Sequence, residues 1–326
     1  MVNRNKLLAD NLMRAWNKGE TGYFIQTSGS TDLPKSMMLE REKAIWSCQK
    51  TANFLGISSA DSIFCCLPVN RISGWMQVAR ALVWNIPIVV HEPSSNPFLN
   101  YHENCSIVSL TPMQLFDILQ NQESKNRLNK FRIVLVGGGD IDIHLEHNLQ
   151  GLGPIFYHTY GMTETYSHIA MRRMNLESEF TVIPGNEIQL NADNCLCIRN
   201  FITDNQWLET KDLATIHNQH FKINGRINNV VNSGGIKIQA EAIEKLLSEK
   251  LNLPEGSIFY FGKKDERLGQ KPALAVNKKR IPHLPDIDNL FGEMSYAKPR
   301  EIVYKNDFVY TETGKIQRSQ TLDMVD

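Results

Sequence analysis

Short apolar runs alternate with stretches of helical spacing along the first half of the chain. Residues 62–67, 86–90, 107–110 and 133–136 are short, β-branched and followed by turn residues, so they read as strands. Residues 39–55, 74–84 and 112–121 place apolar side chains at helical intervals between them. Thr111-Pro112 supplies a capping hydroxyl followed by proline at the first helical position. Strand–helix alternation of this kind predicts an α/β fold with a parallel, doubly wound sheet. Near Pro184 the texture changes to short strands with turns, at 187–190, 195–199 and 214–217. An amphipathic helix is expected over 240–251, followed by a lysine-rich tail. A boundary near Gly225-Arg226-Ile227-Asn228 divides a large domain, 1–226, from a small one, 227–326.

Composition narrows the function. The 326 residues are 42% apolar, enough for two domains and at least one sizeable core. Lys plus Arg (35) equals Asp plus Glu (35), so no global field draws in nucleic acid or an anionic membrane. Small anionic ligands must be held by local groups. Cys48, Cys65, Cys66, Cys105, Cys195 and Cys197 make no C-x-x-C pair and read as buried free thiols. The start of the chain leads into a short amphipathic stretch, and no run approaches the roughly 18–20 apolar residues of a membrane span. A cytoplasmic, soluble protein is expected.

Five segments carry chemistry. In Thr27-Ser28-Gly29-Ser30-Thr31-Asp32-Leu33-Pro34-Lys35, the hydroxyls of Thr27, Ser28, Ser30 and Thr31 surround Gly29, and Lys35 adds a mobile cation. That set suits the β- and γ-phosphates of a nucleotide. Pro34 stands where a kinase-type P-loop has its second glycine and lacks the N–H that cradle uses. Arg132 to Gly139 is a strand ending in Gly137, Gly138 and Gly139, whose missing side chains let a flat ring lie on the backbone. Residues 155–165 run from an apolar strand through Thr159, Tyr160 and a turn at Gly161 to Thr163 and Glu164. This puts a hydroxyl and a carboxylate at a strand's C-terminal end, where open α/β sheets bind ligands, and Glu164 suits Mg²⁺. Asp212 is a candidate acceptor for ribose hydroxyls, and Arg226 for phosphate or ribose oxygens. Ser233-Gly234-Gly235 precedes the 240–251 helix. Taken singly, each also has a plain reading as a turn or a polar surface loop.

Together with Lys315 in Thr311-Glu312-Thr313-Gly314-Lys315-Ile316, the ordered set resembles the adenylate-forming superfamily of acyl-CoA synthetases, luciferases and adenylation domains. The resemblance runs over residues 23–320. Within the superfamily the chain is most similar to the o-succinylbenzoate–CoA ligases of menaquinone biosynthesis. The segments 67–74, 109–115 and 160–168 carry that likeness. The resemblance implies a large α/β domain and a small, mobile α+β domain, with ATP, Mg²⁺ and coenzyme A as ligands. It also implies adenylation of a small carboxylic acid, then thioester formation. By position it makes Lys315, Thr163 and Glu164 catalytic, with Glu164 also the metal ligand. Residues 27–31, Lys35, Gly137 to Gly139, Thr159, Tyr160, Gly161, Asp212 and Arg226 would hold the nucleotide. Ser233, Gly234, Gly235 and Lys237 would serve the thioester step, with Asn228 as hinge.

The chain departs from the family's pattern at several points. Asp32 replaces a usual glycine, Asn228 and Asn229 replace an acidic hinge pair, and Arg71 stands where the narrower family shows histidine. An arginine there suits the second carboxylate of a dicarboxylate, with Ser73 and His168 as further substrate contacts. The phosphate loop begins at residue 27, so most of the family's first subdomain is absent from this sequence, and a homodimer covering that flank is expected. The competing readings are another acyl- or aryl-CoA ligase, a stand-alone adenylation enzyme, and an ATP-binding regulator that no longer turns over.

Overall fold

The computed structural model describes residues 3–27, 35–141, 143–254, 256–311 and 316–324; of Thr27, Lys35, Ile143 and His144 only the backbone is described. Contacts group the chain into two compact units, each built from several chain segments. The first comprises Met1–Ile188, Ile198–Leu208 and Asn218–Phe221. The second comprises Gln189–Cys197, Glu209–His217 and Lys222–Asp326.

The first unit opens with α1 (Arg4–Asn17), whose Asn3 cap accepts the Lys6 N–H. An antiparallel hairpin, β1 (Gly22–Thr27) and β2 (Lys35–Glu40), sets Thr27 opposite Lys35. Then come α2 (Arg41–Leu55), β3 (Ile63–Cys65), α3 (Ile72–Trp84), β4 (Ile88–Val90) and β5 (Ile107–Leu110). The helix α4 (Pro112–Leu119) starts on the expected cap: Thr111 and Gln114 form a reciprocal capping box with proline at N1. It is followed by α5 (Gln122–Leu128), β6 (Ile133–Val136), α6 (Ile143–His147), β7 (Ile155–Met162), β8 (Ser167–Arg173) and β9 (Phe180–Val182).

Strand order in this unit is β9-β8-β7-β6-β5-β3-β4. The run from β7 to β4 is parallel, as the strand–helix alternation predicts. Here β8 and β9 extend it antiparallel, so the sheet is mixed. The reason is local: four residues join β7 to β8, too few for a crossover helix. Side chains of β6 alternate between two cores. Ile133 and Leu135 pack with Leu55 and Ala81 of α2 and α3. Val134 and Val136 pack with Leu115, Leu128 and Leu145 of the later helices. Helices therefore cover both faces.

Asp61, ahead of β3, ties two strand entries together. It accepts Ser58 N–H (2.9 Å), Ser106 Oγ (2.9 Å) and a two-pronged contact from Arg132 (2.9 and 2.7 Å). Burial alone would raise its carboxyl, but those donors together hold it below the usual carboxylate range. A lowered pKa in the folded state contributes stability above the unfolded value, near 4, and loses it as pH falls through the folded value. The stability gap between wild type and Asp61→Asn is therefore expected to shrink on acidification below about pH 4. Urea midpoints across that range test this; a gap independent of pH would remove the charge from the explanation.

The second unit takes half of β10 (Glu187–Leu190) and most of β11 (Cys195–Arg199), β12 (Leu208–His217) and β13 (His220–Arg226), which neighbour one another in that order. Further on are β14 (Val230–Ser233), β15 (Ile236–Gln239), α7 (Ala240–Leu251), β16 (Ile258–Asp265), β17 (Gly269–Asn277), β18 (Glu301–Lys305) and α8 (Arg318–Asp323). The helix at 240–251 spans the residues its periodicity predicts. Its Ala240, Ile243 and Leu247 pack on Tyr260, Leu274 and Val276 of the sheet β15-β14-β17-β16. All six cysteines are buried and none is in a disulfide. Among the described residues, no helix is long and apolar enough to cross a membrane.

Candidate functional site

The C-terminal ends of β6 and β7 bring Gly137, Gly138, Gly139, Thr159, Tyr160 and Gly161 together, half of the predicted nucleotide residues of the first unit. Gly137 donates its N–H to Leu110 O at 3.1 Å. A Cβ on Gly137 would lie 2.3 Å from Thr159 Oγ1, which itself donates to Val136 O at 3.3 Å, so only glycine fits beside Thr159. Gly138 has φ +89°, backbone that glycine adopts without strain. Gly139 O accepts from His158 Nε2 at 3.2 Å. Burial, helped by the nearby Arg172 charge, pulls His158 down to about 4, so it is neutral at physiological pH. Tyr160 packs on Phe180 and Phe221, with centroids 5.8 and 5.2 Å away. The glycine run is thus braced from beneath by His158 and Thr159.

Gly161 does not turn the chain, as the sequence suggests; it stays in β7 at a register shift. Its partner is His168, and a Cβ there would sit 1.9 Å from Ser167 O. The turn comes after it, as a single 3-10 turn over Thr163–Thr165. Tyr166 (φ 50°) and Ser167 (φ 87°) then hold two successive left-handed conformations that side-chain-bearing residues rarely adopt. Anchors offset that strain. Tyr166 OH accepts the Glu40 N–H at 2.7 Å, Ser47 Oγ donates to Tyr166 O at 3.0 Å, and Thr165 Oγ1 donates to Ser167 O at 2.8 Å. The result leaves Thr163 half-buried and Glu164 exposed, with no ion pair to Glu164 among the described residues. An exposed, uncommitted carboxylate fits a hard oxygen-seeking cation such as Mg²⁺.

Arg71 caps the start of α3 and is half-buried, and Ser73 lies in the first turn. That turn seats tightly: a Cβ on Gly74 would lie 2.3 Å from Pro68 O. Sequence reasoning passed over Arg80, farther along α3. Only 3% exposed, Arg80 donates from Nη2 to His168 Nε2 (2.9 Å) and to Ser167 Oγ (3.1 Å). Arginine has only donors, so His168 accepts at Nε2 and turns its Nδ1 proton toward Ser167 Oγ, 3.3 Å away. Burial, then the Arg80 charge, holds His168 well below its ordinary range. Burial also lowers Arg80, to about 10, which leaves it charged near neutrality. No acidic side chain pairs with Arg80 among the described residues, and its Nε has no partner there. The signal was in the sequence: a single cation inside the apolar run 74–84 is where arginine is seldom found without a task.

In the second unit, Asp212 and Arg226 come together from adjacent strands, with Arg226 Nε 3.2 Å from Asp212 Oδ1. Asn228 lies in the 3-10 turn Ile227–Asn229. Ser233 ends β14 and is buried. Gly234 (φ 59°) and Gly235 (φ 84°) form the two-residue hairpin turn to β15, which needs positive φ at both positions. Lys237 is exposed on β15. Residues 28–34, with Ser28, Gly29, Ser30, Thr31 and Asp32, lie outside the described residues. So do Lys315 and the side chains of Thr27 and Lys35.

Comparison with known proteins gives one family. A model of the AMP-binding enzyme family matches residues 5–194. The 2-succinylbenzoate–CoA ligase of Escherichia coli (strain K12) is 26% identical over 266 residues, covering 77% of this chain and 57% of that enzyme. Its counterpart from Haemophilus influenzae is 27% identical over 321 residues, covering 91% and 69%. The chain thus spans little more than half the length of the first of these relatives. Among solved structures, an acyl-CoA synthetase (AMP-forming)/AMP-acid ligase II-like protein from Dyadobacter fermentans superposes with a TM-score of 0.67 at 29% identity. That match covers 99% of this chain and 95% of the other. The o-succinylbenzoate coenzyme A synthetase of Bacillus subtilis, solved with ATP and magnesium, shares the fold at a TM-score of 0.75 and 21% identity, covering 92% and 69%. With a family match over more than half of its length, on a fold shared with these structures, the chain belongs to the AMP-binding enzyme family.

Proposed function

We propose that the protein is an ATP-dependent acid–CoA ligase acting on a dicarboxylic aromatic acid, o-succinylbenzoate being the substrate that fits best. The observation that carries the substrate class is Arg80: a buried cation with no acidic partner among the described residues, beside His168. The names of the curated relatives support the same reading. One carboxylate of the substrate attacks the α-phosphate of ATP, pyrophosphate leaves, and the thiol of coenzyme A then displaces AMP. In this scheme the glycine run 137–139 and Tyr160 take the adenine, Asp212 and Arg226 the ribose, and Thr163 the α-phosphate. Glu164 would hold Mg²⁺, which would supply charge neutralisation on the phosphates. Residues 27–31 and Lys35 surround the outer phosphates, and Lys315 faces the reacting carboxylate. The second carboxylate goes to Arg80, with His168, Ser73 and Arg71 beside the acyl group. A small domain from residue 227 onward turns at Asn228 between the steps, bringing Ser233 to Gly235 and Lys237 to the thioester.

Pyrophosphate release with ATP, Mg²⁺ and a panel of acids tests the proposal. Release specific to o-succinylbenzoate, with thioester appearing on addition of coenzyme A, is expected. Release with monocarboxylic acids alone would leave a ligase but remove the dicarboxylate. ATP binding without release for any acid would favour a regulator instead.

A further inference from the structure

Beyond its first turn, α3 carries only two polar side chains, Gln77 and Arg80. Around them Met76, Val78 and Ala79 pack in one core with α1 and the hairpin, and Ala81 packs in another with Ile107 and Ile133 of the sheet. Gln77 is 1% exposed. It donates from Nε2 to Ser73 O, one turn back, at 3.2 Å. A carbonyl only accepts, so this bond fixes the orientation of the amide and leaves Oε1 on its other side. Oε1 of Gln77 has no partner among the described residues, and neither has Nε of Arg80.

Three residues separate the two, so they share a face of the helix. Helical side chains lean toward the N-terminus, which lays Arg80 back over the turn that carries Gln77. Ser167 and His168 hold Nη2 of Arg80. An acceptor and a donor are thus both left over on one buried face. A buried amide oxygen without a donor costs more than an apolar side chain of the same shape, so stability does not account for glutamine at 77. An amide is polar but uncharged: its oxygen attracts and orients a guanidinium without cancelling its charge. A glutamate of the same length would pair with Arg80 and leave no charge over for an incoming anion.

We propose that Gln77 is a specificity-determining residue, a neutral neighbour that orients Arg80 and leaves its charge for the second carboxylate of the substrate. The proposal rests on the reading of Arg80 as the contact for that carboxylate. In the full chain, the readout is the ratio of kcat/KM for o-succinylbenzoate to that for 4-oxo-4-phenylbutanoate, the same acid without its ring carboxylate. Gln77→Glu is expected to lower this ratio about 10-fold or more, mainly through the KM for o-succinylbenzoate, since the introduced carboxylate competes for the guanidinium. Gln77→Met, close in shape but without the amide, should lower it about 2–10-fold, the scale of one hydrogen bond. Denaturant midpoints give a second readout. Gln77→Glu should lower the midpoint little while Arg80 is present to pair with it, and markedly in combination with Arg80→Met. Equal losses in both backgrounds, failure to fold in both included, would overturn the role of Gln77 alone. So would a ratio that Gln77→Met leaves unmoved while Arg80→Met lowers it. A ratio that Arg80→Met itself leaves unchanged would remove Arg80 from substrate recognition, and this proposal with it.

Discussion

Replacing Lys315 by alanine is expected to slow acid-dependent pyrophosphate release by about a hundredfold or more, the scale of losing one transition-state charge contact. The proposed first step brings a carboxylate against the triphosphate, two anions whose approach costs most at the moment the new bond forms. A cation reaching that point lowers the barrier while adding little to ground-state binding of ATP, which the loop at 27–35 and the Asp212–Arg226 pair would dominate. ATP affinity, measured by calorimetry, should therefore change much less than the rate. Wild-type adenylation by the variant would remove Lys315 from the reaction. A parallel collapse of ATP affinity would make it a binding residue instead.

How far the sequence reveals this molecule depends on how local each determinant is. The Thr111-Pro112 helix start and the 240–251 helix are set by spacing and caps within a turn or two, and both are where the pattern puts them. The antiparallel turn of the sheet at β8 is not legible in the same way. It depends on the short 163–166 link and on two left-handed residues, Tyr166 and Ser167, that are neither glycine nor asparagine. Their anchors, Glu40 and Ser47, lie more than a hundred residues away in the chain. Asp212 and Arg226 were brought together by the family's order of motifs, because nothing in a gap of two strands states that the two side chains meet. Arg80 marks the opposite failure. Helical periodicity absorbed residues 74–84 as core, and the one charged residue in that run is the one the fold buries beside His168.

That arginine gives the second large effect. Arg80→Met is expected to raise the KM for o-succinylbenzoate by about 30-fold or more, since losing one member of a buried, hydrogen-bonded charge pair costs about 2–5 kcal/mol. Acids with a single carboxylate should show little change, because they have no second anion to place against the guanidinium. Stability should move the other way. A buried cation lacking an acidic partner among the described residues is a burden on the empty protein, and an apolar side chain of similar length relieves it. Denaturant midpoints for Arg80→Met at or above the wild-type value, together with the rise in KM, would mark Arg80 as a substrate contact. Lost stability with an unchanged preference among acids would make Arg80 a structural tie between α3 and the Ser167–His168 turn. Arg71, half-buried at the start of the same helix, would then be the arginine left to read the second carboxylate.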